Sequence, residues 1–99
     1  MQLTPVQKLA YEIVYSKEIP VTALEYLNNS GFTFRTKNDL QVMIFSDGPN
    51  FTIKVLERDN KNSVNVANEI KLKKLNLSIL KKIIENALAL LTIRRLEKL

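Results

Sequence analysis

The 99-residue chain contains no cysteine and no histidine. Without cysteine there is no disulfide framework and no thiolate zinc site, and small secreted domains usually depend on such staples, so a cytoplasmic setting is expected. Losing both residue types also removes the commonest general base, the commonest metal ligands and the cysteine nucleophile. Glycine is scarce as well: with only Gly31 and Gly48, no glycine-rich phosphate cradle can be assembled, and neither a Walker A nor a Rossmann fingerprint is present. The ten acidic residues are scattered, and most sit beside Lys, Arg or Asn as solvated groups do. No catalytic residue, metal site or cofactor is therefore expected, and a binding protein rather than an enzyme is the reading. Long apolar runs are missing too. Polar or charged residues interrupt every hydrophobic stretch, and the segment Met1-Gln2-Leu3-Thr4-Pro5 does not read as a signal peptide, so no membrane association is expected.

What is there is the composition of an ordinary globular protein, with 45% hydrophobic and 25% charged residues. A chain of this length has room for one domain, taken as residues 1–99. Its net charge of +5 is unevenly placed. Residues 1–50 carry four basic and five acidic side chains, whereas residues 51–99 carry eleven basic and five acidic, so the positive field belongs to the C-terminal half.

Thr4-Pro5-Val6-Gln7 has the form of a capping box with proline at the first helical position. Val6, Leu9, Ala10, Ile13 and Val14 then share one face of a helix over residues 5–16. Thr22-Ala23-Leu24-Glu25 repeats the capping pattern, with Val21 and Tyr26 placed as a staple, and Asn28-Asn29-Ser30-Gly31 resembles a helix C-cap. A second helix over about 23–29, forming a helical hairpin with the first, is the expectation.

Residues 32–72 admit two readings. In the preferred one, 32–35, 40–45, 51–57 and 64–72 are strands of an antiparallel meander, separated by turns at 47–50 and 59–62. In the other, residues 37–45 form a third helix and 51–58 pairs with 63–70 as a wing, giving a winged helix-turn-helix. The run Val42-Met43-Ile44-Phe45 suits a strand better and favours the meander. Gly31-Phe32-Thr33-Phe34 resembles part of the RNP1 strand of RNA-recognition domains, but no basic residue precedes it and no strand precedes the first helix, so Phe32 and Phe34 are assigned to the core. The last element, residues 77–98, reads as one long helix capped by Asn76. The fold class is thus α+β: an N-terminal helical hairpin, a meander and a long C-terminal helix.

Two kinds of surface stand out. Lys71, Lys73, Lys74, Lys81 and Lys82 lie within twelve residues, read either as the solvent side of an amphipathic segment or as a patch that contacts nucleic-acid phosphates without sequence specificity. Tyr11 and Tyr15 lie opposite the apolar stripe of the first helix and are candidates for a protein interface. On the last helix Leu77, Leu80, Ile83, Ile84, Ala87, Leu88, Leu90 and Leu91 form the docking arc. Beyond Thr92 the pattern rotates: Arg94, Arg95 and Lys98 enter that arc while Ile93 and Leu96 join Ala89 on the opposite face. Either the final turns project past the core, or Ala89, Ile93 and Leu96 form a seam for a partner helix or a homodimer. A small nucleic-acid-associated regulator is the leading expectation, and a protein-binding inhibitor, adaptor or self-associating module the alternative.

Overall fold

A computed structural model describes residues 3–28, 30–37, 40–58 and 64–97. Helix α1 (Pro5–Ser16) is followed by strands β1 (Val21–Asn28), β2 (Gly31–Thr36), β3 (Gln41–Asp47), β4 (Asn50–Arg58) and β5 (Val64–Leu72), and then by helix α2 (Leu77–Glu97). The strands form one antiparallel sheet in the order β1-β2-β3-β4-β5. The class is α+β, and the meander is the architecture.

Helix α1 begins as its sequence requires. Thr4 Oγ1 accepts from the Gln7 amide at 3.2 Å, and the Thr4 amide donates to Gln7 Oε1 at 3.0 Å, which satisfies two N–H groups that the first helical turn leaves open. It ends at Lys17, whose φ of 56° and ψ of 17° are left-handed. Val6, Leu9, Ala10 and Ile13 are buried, whereas Val14, at the margin of the stripe, is half exposed.

The second helix and the helical hairpin are not formed, because residues 21–28 are strand β1. A seven-residue helix cannot hold itself together in water, while pairing with β2 satisfies its backbone and sets Leu24 opposite Phe34 and Tyr26 opposite Phe32. Thr22 Oγ1 donates to the Arg35 carbonyl at 3.3 Å instead of capping. Asn28 pairs with Gly31 at the end of this hairpin, and Asn28 Oδ1 accepts from the Ser30 amide at 2.8 Å, a local bond that favours a turn. Gly31 faces Phe45 across β2 and β3, and a methyl group at Gly31 would come within 2.6 Å of the Phe45 ring. Only glycine lets that ring lie over the backbone.

The winged helix-turn-helix is overturned in the same way, since Gln41–Asp47 is strand β3, paired on both sides. Val42 and Ile44 are fully buried between neighbours on β2 and β4, a burial that a short surface helix would not give them. Gly48, with φ of 60°, and Pro49 make the two-residue turn that closes Asp47 against Asn50. The turn expected at 59–62 lies outside the described residues.

Both helices cover one face of the sheet. Its rows Leu24–Phe34–Val42–Val55 and Tyr26–Phe32–Ile44–Ile53–Ile70 follow from the pairing. Most of these side chains share one apolar cluster with Val6, Leu9, Ile13, Leu80, Ile84 and Leu91. Phe32 and Phe34 are fully buried there, with ring centroids 6.1 Å apart. The opposite face carries Thr33, Met43, Phe45, Thr52, Lys54 and Lys71, and no helix among the described residues lies over it.

Candidate functional site

The clearest charged feature is built where β5 hands over to α2. Asn76 caps the helix, its Oδ1 accepting from the Ile79 amide at 2.9 Å. Leu75 and Leu77, on either side of the cap, pack against the core and fix the entry of the chain. Lys73, Lys74, Lys81 and Lys82 surround this helix start, and all four are exposed. No acidic residue occupies the first turn of α2, so nothing there offsets the positive end of the helix dipole. Among the described residues none of these lysines has an ion-pair partner; the one ion pair is Arg94 Nη1 to Glu57 Oε2 at 3.3 Å.

Lys71 stands apart. It pairs with Thr52, and strand alternation puts it on the sheet face opposite the helices, while its neighbours Ile70 and Leu72 join the core. Four of the five lysines thus share a corner, and the fifth flanks the sheet edge.

Tyr11 and Tyr15 lie outside the core, 52% and 67% exposed, with rings stacked at 4.1 Å between centroids. Hydrogen bonding with Tyr15, followed by its charge when ionised, raises the pKa of the Tyr11 hydroxyl above the ordinary tyrosine value. This is a surface property. The pair offers a flat aromatic contact and no reactive group.

On α2, Ala89, Ile93 and Leu96 are exposed, and Leu90 joins them at 51% exposure. Leu90 therefore leaves the docking arc that its spacing assigns to it. It lines a small, mostly apolar crevice between α2 and the sheet together with Leu40, Val55, Ala87 and Leu91, where Glu57, Asn68 and Arg94 supply the polar groups. Arg94 does occupy the sheet-facing side of the helix, as the rotated pattern requires, and the sheet meets it there with a carboxylate. Lys98 lies outside the described residues, as does the side chain of Arg95.

The chain matches no known protein family, no curated protein and no solved structure. Among the described residues no group of three acidic, histidine or cysteine side chains is placed to hold a metal ion, and no helix is long and apolar enough to cross a membrane.

Sequence reasoning did not find the Arg94–Glu57 pair, whose members are 37 residues apart. It also missed the separation of Lys71 from the other lysines, although the alternation of Ile70 and Leu72 with Lys71 carries that signal.

Proposed function

We propose that this protein is a small non-enzymatic regulator that associates with nucleic acid through the lysine corner at the start of α2. One observation carries the reading: Lys73, Lys74, Lys81 and Lys82 are exposed around a helix N-terminus and lack ion-pair partners among the described residues. Unpaired lysines of this kind exchange bound counterions for phosphates, which gives affinity without sequence readout. A cytoplasmic setting, expected from the absence of cysteine, suits such a partner.

The test is binding of mixed-sequence duplex DNA and of RNA at two salt concentrations. If the four lysines each neutralise one phosphate, affinity for duplex DNA falls on the order of a hundredfold between 50 and 200 mM salt. Changing Lys73, Lys74, Lys81 and Lys82 together to Gln removes most of that dependence and leaves the fold intact. Absence of binding at low salt, or an unchanged salt slope in the quadruple variant, overturns the proposal.

A second reading, a protein-binding inhibitor, adaptor or self-associating module, is favoured by the half-exposed Leu90, Ile93 and Leu96 and by the Tyr11–Tyr15 pair. It predicts binding that is insensitive to salt and weakened by Ile93→Lys with Leu96→Lys.

A further inference from the structure

The sheet has two edges, and they are not alike. Strand β1 follows Pro20 and carries two register irregularities, between Val21 and Ala23 and between Tyr26 and Asn28, devices that discourage a further strand from adding there. Strand β5 has one. Val55 faces Asn68 and Leu56 faces Val66, so Ala67 is an extra residue, and residues 68–72 beyond it pair regularly with β4.

The direction of the free backbone groups follows from the ladder. Asp47 and Asn50 close a two-residue hairpin and are a hydrogen-bonded pair, so in β4 residues 50, 52 and 54 bond towards β3, and 51, 53 and 55 towards β5. Ile53 faces Ile70. Ile70 therefore bonds inward, and the N–H and C=O groups of Glu69 and Lys71 point out of the sheet edge. The sheet's apolar row also stops short there: Ile44 and Ile53 are fully buried, but Ile70 in the same row is only half-buried.

From this edge we infer that the protein forms a two-fold dimer by antiparallel pairing of β5 with β5 of a second copy, centred on Ile70. The charges choose the register. A two-fold axis perpendicular to the sheet pairs residues of the same face, so the centre falls on a residue. Centred on Glu69 it would set two glutamates opposite each other, and on Lys71 two lysines. A centre at Leu72 would bring Lys71 against Lys73, and a centre at Asn68 would run into the Ala67 bulge. Centred on Ile70, Glu69 of each copy faces Lys71 of the other in two hydrogen-bonded pairs, Ile70 meets Ile70, and Asn68 meets Leu72. Ladders of residues 68–72 then end at the bulge on one side and at the bend of Lys73 on the other. The same two charges disfavour the registers that set like charges opposite each other, which narrows how this edge can pair.

Sedimentation of the full chain across micromolar to millimolar concentration tests the dimer, with Glu69→Lys, Lys71→Glu and the double exchange as variants. Each single change turns two attractive cross-strand pairs into two repulsive ones and raises the dissociation constant about thirtyfold. The double exchange restores it, and so does mixing the two single variants, which also shows that the singles are folded. A wild-type chain monomeric at millimolar concentration overturns the inference. So does a dimer indifferent to the single changes, or a double exchange as weak as either single. The quadruple Gln variant that tests nucleic-acid binding leaves Glu69 and Lys71 untouched, so the two proposals fail separately.

Discussion

Replacing Leu80 with alanine, and separately Leu90, measures how α2 sits on the sheet. Helical spacing at 100° per residue puts both residues on the docking arc, yet Leu80 is 0% exposed and Leu90 51%. Truncating Leu80 removes three buried carbon groups at about 0.8 kcal/mol each, about 2.4 kcal/mol of transfer free energy. If the site does not collapse, a void of roughly 60 Å³ adds about 1.5 kcal/mol at 24 cal/mol per Å³. Leu80→Ala should therefore cost about 2.5–4 kcal/mol. At Leu90 only half the side chain is withdrawn from water and no closed void forms, so the cost should be about 1 kcal/mol. Against a total stability of about 5–15 kcal/mol for a domain of this size, both variants stay folded at room temperature. Urea unfolding with an unchanged slope resolves the two costs, and thermal midpoints should fall by about 15 °C and about 5 °C respectively. Equal costs would mean that α2 is docked in a rotated position with Leu90 inside, and the crevice beside Arg94 would then be filled.

Lys17→Gly should stabilise the protein by about 0.5 kcal/mol, because the left-handed C-cap conformation strains any residue with a Cβ; chemical denaturation reads the sign, and destabilisation would show that the lysine stem is needed against its neighbours. Tyr15→Phe should bring the Tyr11 pKa back down towards its ordinary value, followed by phenolate absorbance during alkaline titration. Because the folded-state pKa of Tyr11 is raised, its contribution favours folding below the unfolded value near 10 and is lost as pH rises through the folded value, so the wild type should lose more stability than Tyr15→Phe across that alkaline window.

What could be read in the sequence was whatever a local pattern decides by itself. The α1 capping box, the Gly48-Pro49 turn, the alternation of Phe51, Ile53 and Val55, and the apolar face of α2 each specify their own structure within a few residues. Residues 21–28 went the other way because their local signals are helical while their partners are distant. Thr22 and Glu25 have capping-box spacing, but Phe32 and Phe34 need a strand on their outer side, and that requirement appears only once β2 is known to lie in the sheet. Asn28 and Gly31 are equally suited to ending a helix or turning a hairpin, so they could not arbitrate. In the candidate site, the exposure of Lys73, Lys74, Lys81 and Lys82 was legible as the polar side of an amphipathic segment. The outward direction of the Glu69 and Lys71 backbone groups was not, since which strand is an edge depends on the order of the whole sheet.

The lysine corner and the β5 edge make a joint prediction that neither makes alone. A two-fold axis perpendicular to the sheet keeps both copies of α2 on the same side, and pairing centred on Ile70 puts the two Lys73 residues six strand positions apart, about 20 Å. That is shorter than one turn of duplex DNA, so a single duplex can touch both corners. A monomer neutralising four phosphates gives a salt slope of about −3.6, and a dimer neutralising eight about −7. Glu69→Lys adds positive charge to every chain, so charge counting alone predicts steeper salt dependence. If the dimer is the binding unit, the same variant separates the copies and the slope should fall towards the monomer value, measured at protein concentrations where the wild type is dimeric. A steeper slope in Glu69→Lys would show that the corners act singly and that pairing along β5 contributes nothing to nucleic-acid binding.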